Sequence, residues 1–172
     1  MILWLNGAFG VGKTTTAQAI REQAPSWRLF DPEQVGLLLW QNLAGLTFND
    51  FQDLPPWRSL VPRFASEVSN FTGDDLIAVQ TVLVQDYWEE LRAGFDEQHV
   101  DVFHVLLDAP APLLEARIKT DAVEREAEFW RLEHISRYES AKKWLSPSAD
   151  LVVGTERLSA ADAASYILSS LP

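Results

Sequence analysis

The sequence predicts an α/β fold, a three-layer sandwich in which a parallel five-stranded sheet lies between two layers of helices. Short apolar segments alternate with amphipathic helical segments along all 172 residues. Strands that alternate with helices pair in parallel, because each helix returns the chain to the same end of the sheet. A glycine-rich turn also follows the first strand and leads into a helix, as in phosphate-binding folds. Because no linker or repeat divides the chain, we expect a single domain over residues 1–172.

The individual elements follow from hydrophobic periodicity and from turn residues. Strands are predicted at Ile2 to Leu5, Trp27 to Phe30, Leu76 to Val82, Val100 to Leu107 and Leu151 to Val153. Helices are predicted at Gly12 to Gln23, Pro32 to Leu43, Trp57 to Phe71, Asp86 to Gln98 and Ala160 to Leu171, with two more between Ala111 and Trp144. Asp31 and Ser159 are expected to cap the helices that follow them.

Composition excludes several classes of function. The formal net charge of −11 argues against a nucleic-acid partner and against docking on an anionic membrane. The chain has no cysteine, which excludes disulfides and thiolate metal sites. The apolar runs are far shorter than a membrane span, and the N-terminus lacks the basic region of a signal peptide. We therefore expect a cytoplasmic protein without an integral membrane segment, and the oligomeric state stays open.

The strongest motif lies between the first strand and the first helix. The segment G-A-F-G-V-G-K-T fits the phosphate-loop pattern G-x-x-x-x-G-K-[ST] in full. Glycines let backbone amides approach phosphate oxygens, and the following helix directs the positive end of its dipole at them. Lys13 is expected to bind the β- and γ-phosphates of ATP and to assist catalysis, and Thr14 to ligate Mg²⁺. The predicted nucleotide contacts are Gly7, Ala8, Phe9, Gly10, Val11, Gly12, Lys13, Thr14 and Thr15.

A phosphotransferase also needs a carboxylate that orients or deprotonates the acceptor. Ligands of parallel sheets lie at the carboxyl ends of the strands, and Asp31 and Asp108 each follow a predicted strand. Asp31 is the preferred catalytic and substrate-binding candidate, with Asp108 as its rival. Either residue would also serve as a simple helix cap.

The acceptor is expected to contact the loop from Asp50 to Arg58, which combines aromatic and hydrogen-bonding side chains. Trp57 suits stacking on a planar group, Arg58 suits a phosphate or carbonyl, and Asp53 is a further polar contact. The alternative is that the aromatic rings attach the loop to the core and that Asp53 caps a helix. Gln80 and Thr81 are polar residues in an apolar strand, and at least one of them is expected to reach the substrate.

A lid over the nucleotide is predicted at about residues 117–143, which hold seven of the 14 Lys and Arg side chains. Most of these cations have an acidic residue one helical turn away, which explains them equally well as surface pairs. Arg117 instead has Leu113 and Leu114 at the positions four and three residues before it. It is therefore the preferred lid arginine, with predicted nucleotide-binding and catalytic roles.

The N-terminal third resembles the tunicamycin-resistance proteins, which are ATP-binding members of the P-loop kinase superfamily. The similarity is carried by Ile2 to Gly10 leading into the phosphate loop, by Asp31-Pro32-Glu33 with Gly36, and by Asp50-Phe51-Gln52 with Pro55, Trp57 and Arg58. The resemblance implies a core like that of nucleoside-monophosphate kinases, with sheet order 2-3-1-4-5. It also implies resistance to a nucleoside antibiotic made of uracil, sugars and a fatty acyl chain.

The leading hypothesis is an ATP-dependent kinase that phosphorylates a hydroxyl of tunicamycin or a related nucleoside-like small molecule. Two alternatives remain open, namely ATP-gated sequestration of the drug without chemistry and a housekeeping kinase for a nucleotide or other metabolite. A regulatory GTPase is disfavoured, because the sequence contains no guanine-reading N-K-x-D segment.

Overall fold

The computed structural model describes residues 1–121 and 125–172. Its strands are β1 (Ile2–Gly7), β2 (Arg28–Phe30), β3 (Leu76–Val79), β4 (Val102–Asp108) and β5 (Leu151–Gly154). Its helices are α1 (Lys13–Gln23), α2 (Pro32–Asn42), α3 (Pro55–Thr72), α4 (Gln85–Glu97), α5 (Ala111–Thr120), α6 (Glu128–Ser148) and α7 (Ala160–Ser169). Two 3₁₀ turns lie at Phe51–Asp53 and Arg125–Ala127.

The predicted fold class is confirmed. Within the described residues the sheet has five strands in the order β2-β3-β1-β4-β5, and every neighbouring pair is parallel. This order places β1 at the centre, so the loop that follows β1 leaves the middle of the carboxyl edge. Ligands of open parallel sheets bind at that edge, where the strand order reverses.

The central strand shows why helices cover both faces of the sheet. Ile2 and Trp4 pack into one hydrophobic cluster with residues of α3 and α4. Leu3 and Leu5 pack into the other, with residues of α1, α5, α6 and α7. All four side chains are fully buried, as expected for a strand covered on both faces.

Local sequence signals explain where several helices begin. Pro32 occupies the first turn of α2, and the Asp31 carboxylate accepts a hydrogen bond from the Glu33 amide. Ser159 and Asp162 form a reciprocal capping box at the start of α7. No helix among residues 1–121 and 125–172 combines the length and the apolar character that crossing a membrane requires.

Candidate nucleotide and acceptor site

The segment from Gly7 to Gly12, called the glycine loop, has a backbone that only glycine accommodates easily. Gly7, Gly10 and Gly12 all have positive φ, at 141°, 77° and 99°. A Cβ on Gly7 would lie 2.4 Å from the Leu107 carbonyl oxygen, and one on Gly10 would lie 3.2 Å from the Leu114 carbonyl oxygen. The first contact is shorter than side chains tolerate and the second is tight, so glycine at both positions lets the loop pack closely on β4 and α5.

The start of α1 places a cation and a helix dipole at this loop. Lys13 is the first residue of α1, and its Nζ donates hydrogen bonds to the Gly7 and Ala8 carbonyl oxygens at 3.0 and 2.8 Å. The ammonium group therefore lies over the mouth of the loop. Together with the positive end of the α1 dipole, it makes this position favourable for an anion.

Asn6 holds the loops after β1 and β3 together. Its fully buried side chain accepts hydrogen bonds from the Gly7 and Val82 amides at 2.8 and 3.0 Å and donates one to the Val82 carbonyl oxygen at 3.1 Å. Thr81 adds a second link, because its hydroxyl donates to the Gly7 carbonyl oxygen at 2.9 Å. Three of these four contacts join residues more than 70 positions apart, and together they fix the carboxyl edge of the sheet around the glycine loop.

Arg117 lies on the outer side of the same loop. Its guanidinium donates to the Thr155 carbonyl and hydroxyl oxygens at 2.9 and 3.2 Å, and makes longer contacts of 3.4 Å with the Gly10 and Val11 carbonyl oxygens. This half-buried cation also lines a cavity beside the glycine loop, the first cavity. The contacts bring the predicted lid arginine to the nucleotide end of the site, and its catalytic role stays a prediction.

Two aromatic residues of α6, Trp130 and His134, pack against Phe9 of the glycine loop. The Phe9 ring centroid lies 4.9 Å from that of Trp130 and 5.7 Å from that of His134. One residue along α6, Arg131 is almost fully buried and pairs with Asp121 at 2.9 Å. Arg131 also lines the first cavity, so α6 supplies a cation, paired with Asp121, to the part of that cavity beside the glycine loop. Residues 122–124 of the predicted lid lie outside the described residues.

Two adjoining cavities occupy this edge of the sheet. The first cavity has a volume of about 1300 Å³ and extends from the glycine loop to α2. The second cavity, of about 1090 Å³, lies between α6 and the start of α4. Six residues line both cavities, namely Phe9, Asn49, Asp50, Gln52, Thr81 and Trp130. A single ligand usually needs about 300–1,000 Å³, so this space suits two molecules side by side.

Asp50 is a site residue that the sequence analysis did not assign. It lines both cavities and caps the short 3₁₀ turn by accepting a hydrogen bond from the Gln52 amide at 2.9 Å. Burial raises the pKa of the Asp50 carboxyl, an effect opposed mainly by its hydrogen bond from Gln52. A carboxylate with a raised pKa in a cleft is a candidate acid or base. Its position directly before Phe51-Gln52 in the acceptor loop was the available signal.

Gly36 explains how the Asp50 loop comes so close to α2. The Phe51 ring lies over Gly36, where a Cβ would be only 2.6 Å from the Phe51 Cγ. The loop therefore lies directly against the helix. Gln52 adds a link to the sheet, since its Nε2 donates to the Thr81 carbonyl oxygen at 3.1 Å.

Trp57 and Arg58, which are predicted to contact the acceptor, are both engaged with other parts of the protein. Trp57 is fully buried, and its indole N–H donates to the Pro32 carbonyl oxygen at 3.0 Å. Arg58 is also buried, and its guanidinium pairs with Glu90 at 2.6 Å, donates to the Gln52 carbonyl oxygen and lies over the Tyr87 ring. Neither residue is part of the described lining of the cavities, and contact with an acceptor stays a prediction that would require them to leave these partners. They attach the acceptor loop to α2 and α4, which is the alternative raised for the aromatic residues.

The remaining acceptor candidates do face the cavities. Gln80 lines the first cavity and Thr81 lines both, whereas Asp53 lines the second and accepts a hydrogen bond from the Tyr87 hydroxyl at 3.1 Å. Thr14 and Thr15 line the first cavity beside Lys13. The assignments of these residues to substrate, metal and nucleotide stay predictions.

The two rival carboxylates lie apart from both cavities. Asp31 is exposed at the start of α2, where its second carboxylate oxygen accepts a hydrogen bond from the Gln34 side chain at 3.0 Å. Asp108 pairs with Lys142 at 2.9 Å, accepts a hydrogen bond from Tyr138 at 2.7 Å and lines a separate cavity of about 450 Å³. Asp108 thus anchors α6 to β4. Catalysis by Asp31 stays a prediction that requires its side chain to turn toward the cavity.

Known structures share this fold over nearly the whole chain. The tunicamycin resistance protein of Deinococcus radiodurans has a TM-score of 0.73 and 24% identity, over 98% of this chain and 93% of that one. An unliganded sugar kinase from Janibacter sp. HTCC2649 has a TM-score of 0.71 and 18% identity, with coverages of 98% and 92%. The APS kinase of Mycobacterium tuberculosis, in complex with AMPPNP and APS, has a TM-score of 0.65 and 21% identity, with coverages of 98% and 95%.

The first of these structures agrees, at the level of the fold, with the resemblance seen in the N-terminal third. No curated protein matches this chain by sequence. A family described as "AAA domain" matches residues 2–141, which include the glycine loop, the acceptor loop and most of α6. The chain therefore belongs to this AAA-domain family and has the P-loop kinase-like fold that its structural neighbours share.

Proposed function

We propose that the protein is an ATP-dependent phosphotransferase that acts on a hydroxyl group of a small molecule, with tunicamycin or a related nucleoside-like compound as the leading acceptor. The observation that carries this proposal is the pair of adjoining cavities. The glycine loop, Lys13 and Arg117 lie at one end of the first cavity, and the Asp50 loop lies where the two cavities meet. A phosphate donor and an acceptor can therefore be bound at the same time.

The nucleotide end fits a triphosphate. Side chains at Gly7 and Gly10 would press on the Leu107 and Leu114 carbonyl oxygens, so glycine lets the loop keep this path against β4 and α5. Backbone amides of such a loop would bind the phosphate oxygens. Lys13 would exchange its hydrogen bonds to the loop carbonyls for phosphate oxygens. Mg²⁺, held with the phosphates by the Thr14 hydroxyl, would supply charge neutralisation.

The proposed reaction is a displacement at phosphorus. The acceptor oxygen forms a bond to the γ-phosphorus, the bond from that phosphorus to the β,γ-bridging oxygen breaks, and ADP leaves with the electron pair. Lys13 and Arg117 stabilise the negative charge on the transferred group and the leaving oxygen. The proton of the acceptor hydroxyl passes to a carboxylate at the acceptor end.

Two carboxylates compete for the role of base. Asp31 follows β2 at the correct edge of the sheet, but its oxygens are engaged at the start of α2. Asp50 already lines both cavities, and burial raises the pKa of its carboxyl toward the range that favours proton transfer. Replacing each separately by asparagine distinguishes them, because the base variant loses turnover and retains ATP affinity.

The apolar flank of the first cavity supports an acceptor with both polar and apolar parts. Leu37 and Trp40 on α2 line the cavity and remain largely exposed, and Phe48 lies beside them. Such a surface suits the acyl chain of tunicamycin, while the polar groups near Asp50 suit its sugars. The fold shared with the Deinococcus radiodurans tunicamycin resistance protein points to the same acceptor.

Sequestration without chemistry is the second candidate, and the position of Asp31 favours it. If neither Asp31 nor Asp50 reaches the acceptor hydroxyl, the protein would bind drug and nucleotide and form neither ADP nor phosphorylated drug. Protection of cells would then be stoichiometric, and both Asp31→Asn and Asp50→Asn would protect as well as the unaltered protein.

The test measures ADP release with and without tunicamycin, followed by the mass of the drug. The proposal expects ADP formation that depends on the drug and a product heavier by one phosphoryl group. Lys13→Met should abolish both signals. ATP binding without any phosphorylated drug would refute phosphorylation of tunicamycin. A screen of sugars and nucleosides for ADP release then separates sequestration from a metabolite kinase.

A further inference from the structure

Charge is unevenly distributed between the two ends of the paired cavities. Lys13, Arg117 and the ion pair of Arg131 with Asp121 line the first cavity around the glycine loop. Away from that loop, the lining charges are mainly carboxylates, contributed by Glu33, Asp50, Asp53 and Glu133. Within the described lining of the second cavity, Arg137 is the one Lys or Arg side chain. The acceptor region therefore has a net negative potential, and the protein as a whole, at −11, reinforces it.

A buried hydrogen-bond acceptor belongs to a residue that lines the first cavity. Gln80 is 5% exposed and lines the first cavity. Its Oε1 is buried and has no hydrogen-bond partner among the described residues. An unpaired buried carbonyl oxygen is unfavourable, and a ligand that donates a hydroxyl or amino hydrogen would satisfy it. A carboxylate has no such hydrogen to donate at neutral pH, and a phosphate ester is mostly a dianion that has none.

Arg58, which was expected to bind the acceptor, has its charge balanced by a carboxylate. Arg58 approaches the acceptor loop from α3, but its Nε pairs with Glu90 at 2.6 Å. Its Nη1 donates to the Gln52 carbonyl oxygen, and its Cζ lies 4.2 Å from the centre of the Tyr87 ring. The positive charge of Arg58 is thus engaged in holding the acceptor loop, and it does not offset the negative charge of the carboxylates that line the cavities.

We infer that the acceptor is a hydroxyl-rich ring compound without an anionic group, of the amino-sugar or neutral-sugar class, and that sugar acids and sugar phosphates are rejected. The inference rests on the proposed function, since it identifies the substrate class of the proposed acceptor site. Carboxylates and the Gln80 carbonyl oxygen accept hydrogen bonds from hydroxyl and amino groups. The Tyr87, Trp130 and Trp144 rings that line the second cavity supply flat faces for a sugar ring.

Three sugars that differ mainly in charge provide the probes, namely glucosamine, glucose and gluconate. Binding is followed by the fluorescence of the cavity tryptophans, with AMPPNP and Mg²⁺ present so that binding is measured apart from transfer. We expect glucosamine to bind at least about tenfold more tightly than gluconate, with glucose between them, because several carboxylates act on the charge. Gluconate binding as tightly as glucosamine would overturn the inference, and so would binding of none of the three.

Variants assign the effect to the named residues. Asp53→Asn combined with Glu133→Gln should reduce the preference for glucosamine over gluconate by about tenfold. The matched control is Glu67→Gln with Asp96→Asn, which makes the same charge change at exposed positions outside both cavities and should leave the preference unchanged. An equal effect of both pairs would overturn the local assignment.

Gln80→Met tests the hydrogen-bond part of the inference. The substitution keeps the length of the side chain and removes its carbonyl oxygen. It should weaken glucosamine and glucose several-fold and to a similar extent, because both lose the same acceptor of a hydrogen bond. Unchanged affinity for both would overturn the role of Gln80.

These measurements can fail independently of the proposed function. Charge-selective binding without any phosphoryl transfer would refute the kinase proposal and leave the acceptor class intact. Phosphorylation of gluconate in preference to glucosamine would refute the acceptor class and leave the kinase proposal intact.

Discussion

Acidification is expected to destabilise the fold through one histidine of the central sheet. His104 lies on β4 and is fully buried. Its ring centroid is 4.1 Å from that of Trp88, and its Nδ1 lies 3.2 Å from the Ser148 carbonyl oxygen. Burial is the main reason that its pKa falls from 6.5 to about 4 in the folded protein. The folded state therefore holds His104 in its neutral form.

The direction and size of the effect follow from linkage between protonation and folding. Above pH 6.5 the histidine is neutral in both states and costs nothing. Between pH 6.5 and about pH 4, His104 is protonated in the unfolded chain but stays neutral in the folded protein. The free energy of unfolding therefore falls as the pH is lowered across that interval. The full interval corresponds to a loss of about 3 kcal/mol, of which about 2 kcal/mol is already lost at a pH of about 5.

Urea unfolding at a pH of about 7 and of about 5 measures this loss. His104→Gln keeps a donor for the Ser148 carbonyl, and His104→Phe keeps a ring against Trp88. Both should remove about 2 kcal/mol of the pH dependence, whatever their stability at neutral pH. His99→Gln, at an exposed position, is the matched control. The reasoning is refuted if the two His104 variants lose as much stability on acidification as the unaltered protein.

Three further substitutions separate the nucleotide site, the acceptor loop and the scaffold. Lys13→Met should weaken ATP binding by about 100-fold, measured by calorimetry, because a charge-assisted contact to phosphate is lost; unchanged affinity would exclude Lys13 from the site. In Gly36→Ala the new Cβ would lie 2.6 Å from the Phe51 ring, which must therefore move away from α2. The KM for the acceptor should rise several-fold while the affinity for ATP is retained. A rise in the Kd of ATP alone would contradict this account. Arg58→Met should cost about 2 kcal/mol of unfolding free energy, a modest value because its partner Glu90 is half exposed and can be hydrated. A loss of acceptor binding at unchanged stability would instead indicate that Arg58 contacts the acceptor directly.

Local patterns were sufficient for the architecture. The alternation of elements predicted the parallel sheet, and the helices and strands begin and end within a few residues of their expected positions. Pro32 and Ser159 explain why the helix starts were predictable, because capping depends on neighbouring residues alone. The glycine loop was equally accessible, since the motif fixes both its backbone and its place between a strand and a helix.

The acceptor side depended on contacts between distant segments. Arg58 and Glu90 are 32 positions apart, and their ion pair removes Arg58 from the cavity. Trp57 is buried because α2 presents the Pro32 carbonyl oxygen to its indole N–H. Neither contact leaves a periodic signal in the sequence, so the same side chains equally suggested a binding role.

The sequence by itself determined the fold class and the phosphate-binding loop, because both depend on short-range periodicity and on the backbone freedom of a few glycines. Only the tertiary structure decided which polar groups of the acceptor loop line the two cavities. The close packing of Phe51 on Gly36 places Asp50 on the lining of both cavities, while the cap that Asp31 forms keeps its carboxylate at the start of α2. The direction of a side chain in a loop depends on the surfaces that meet there, and those surfaces exist only once the chain has folded.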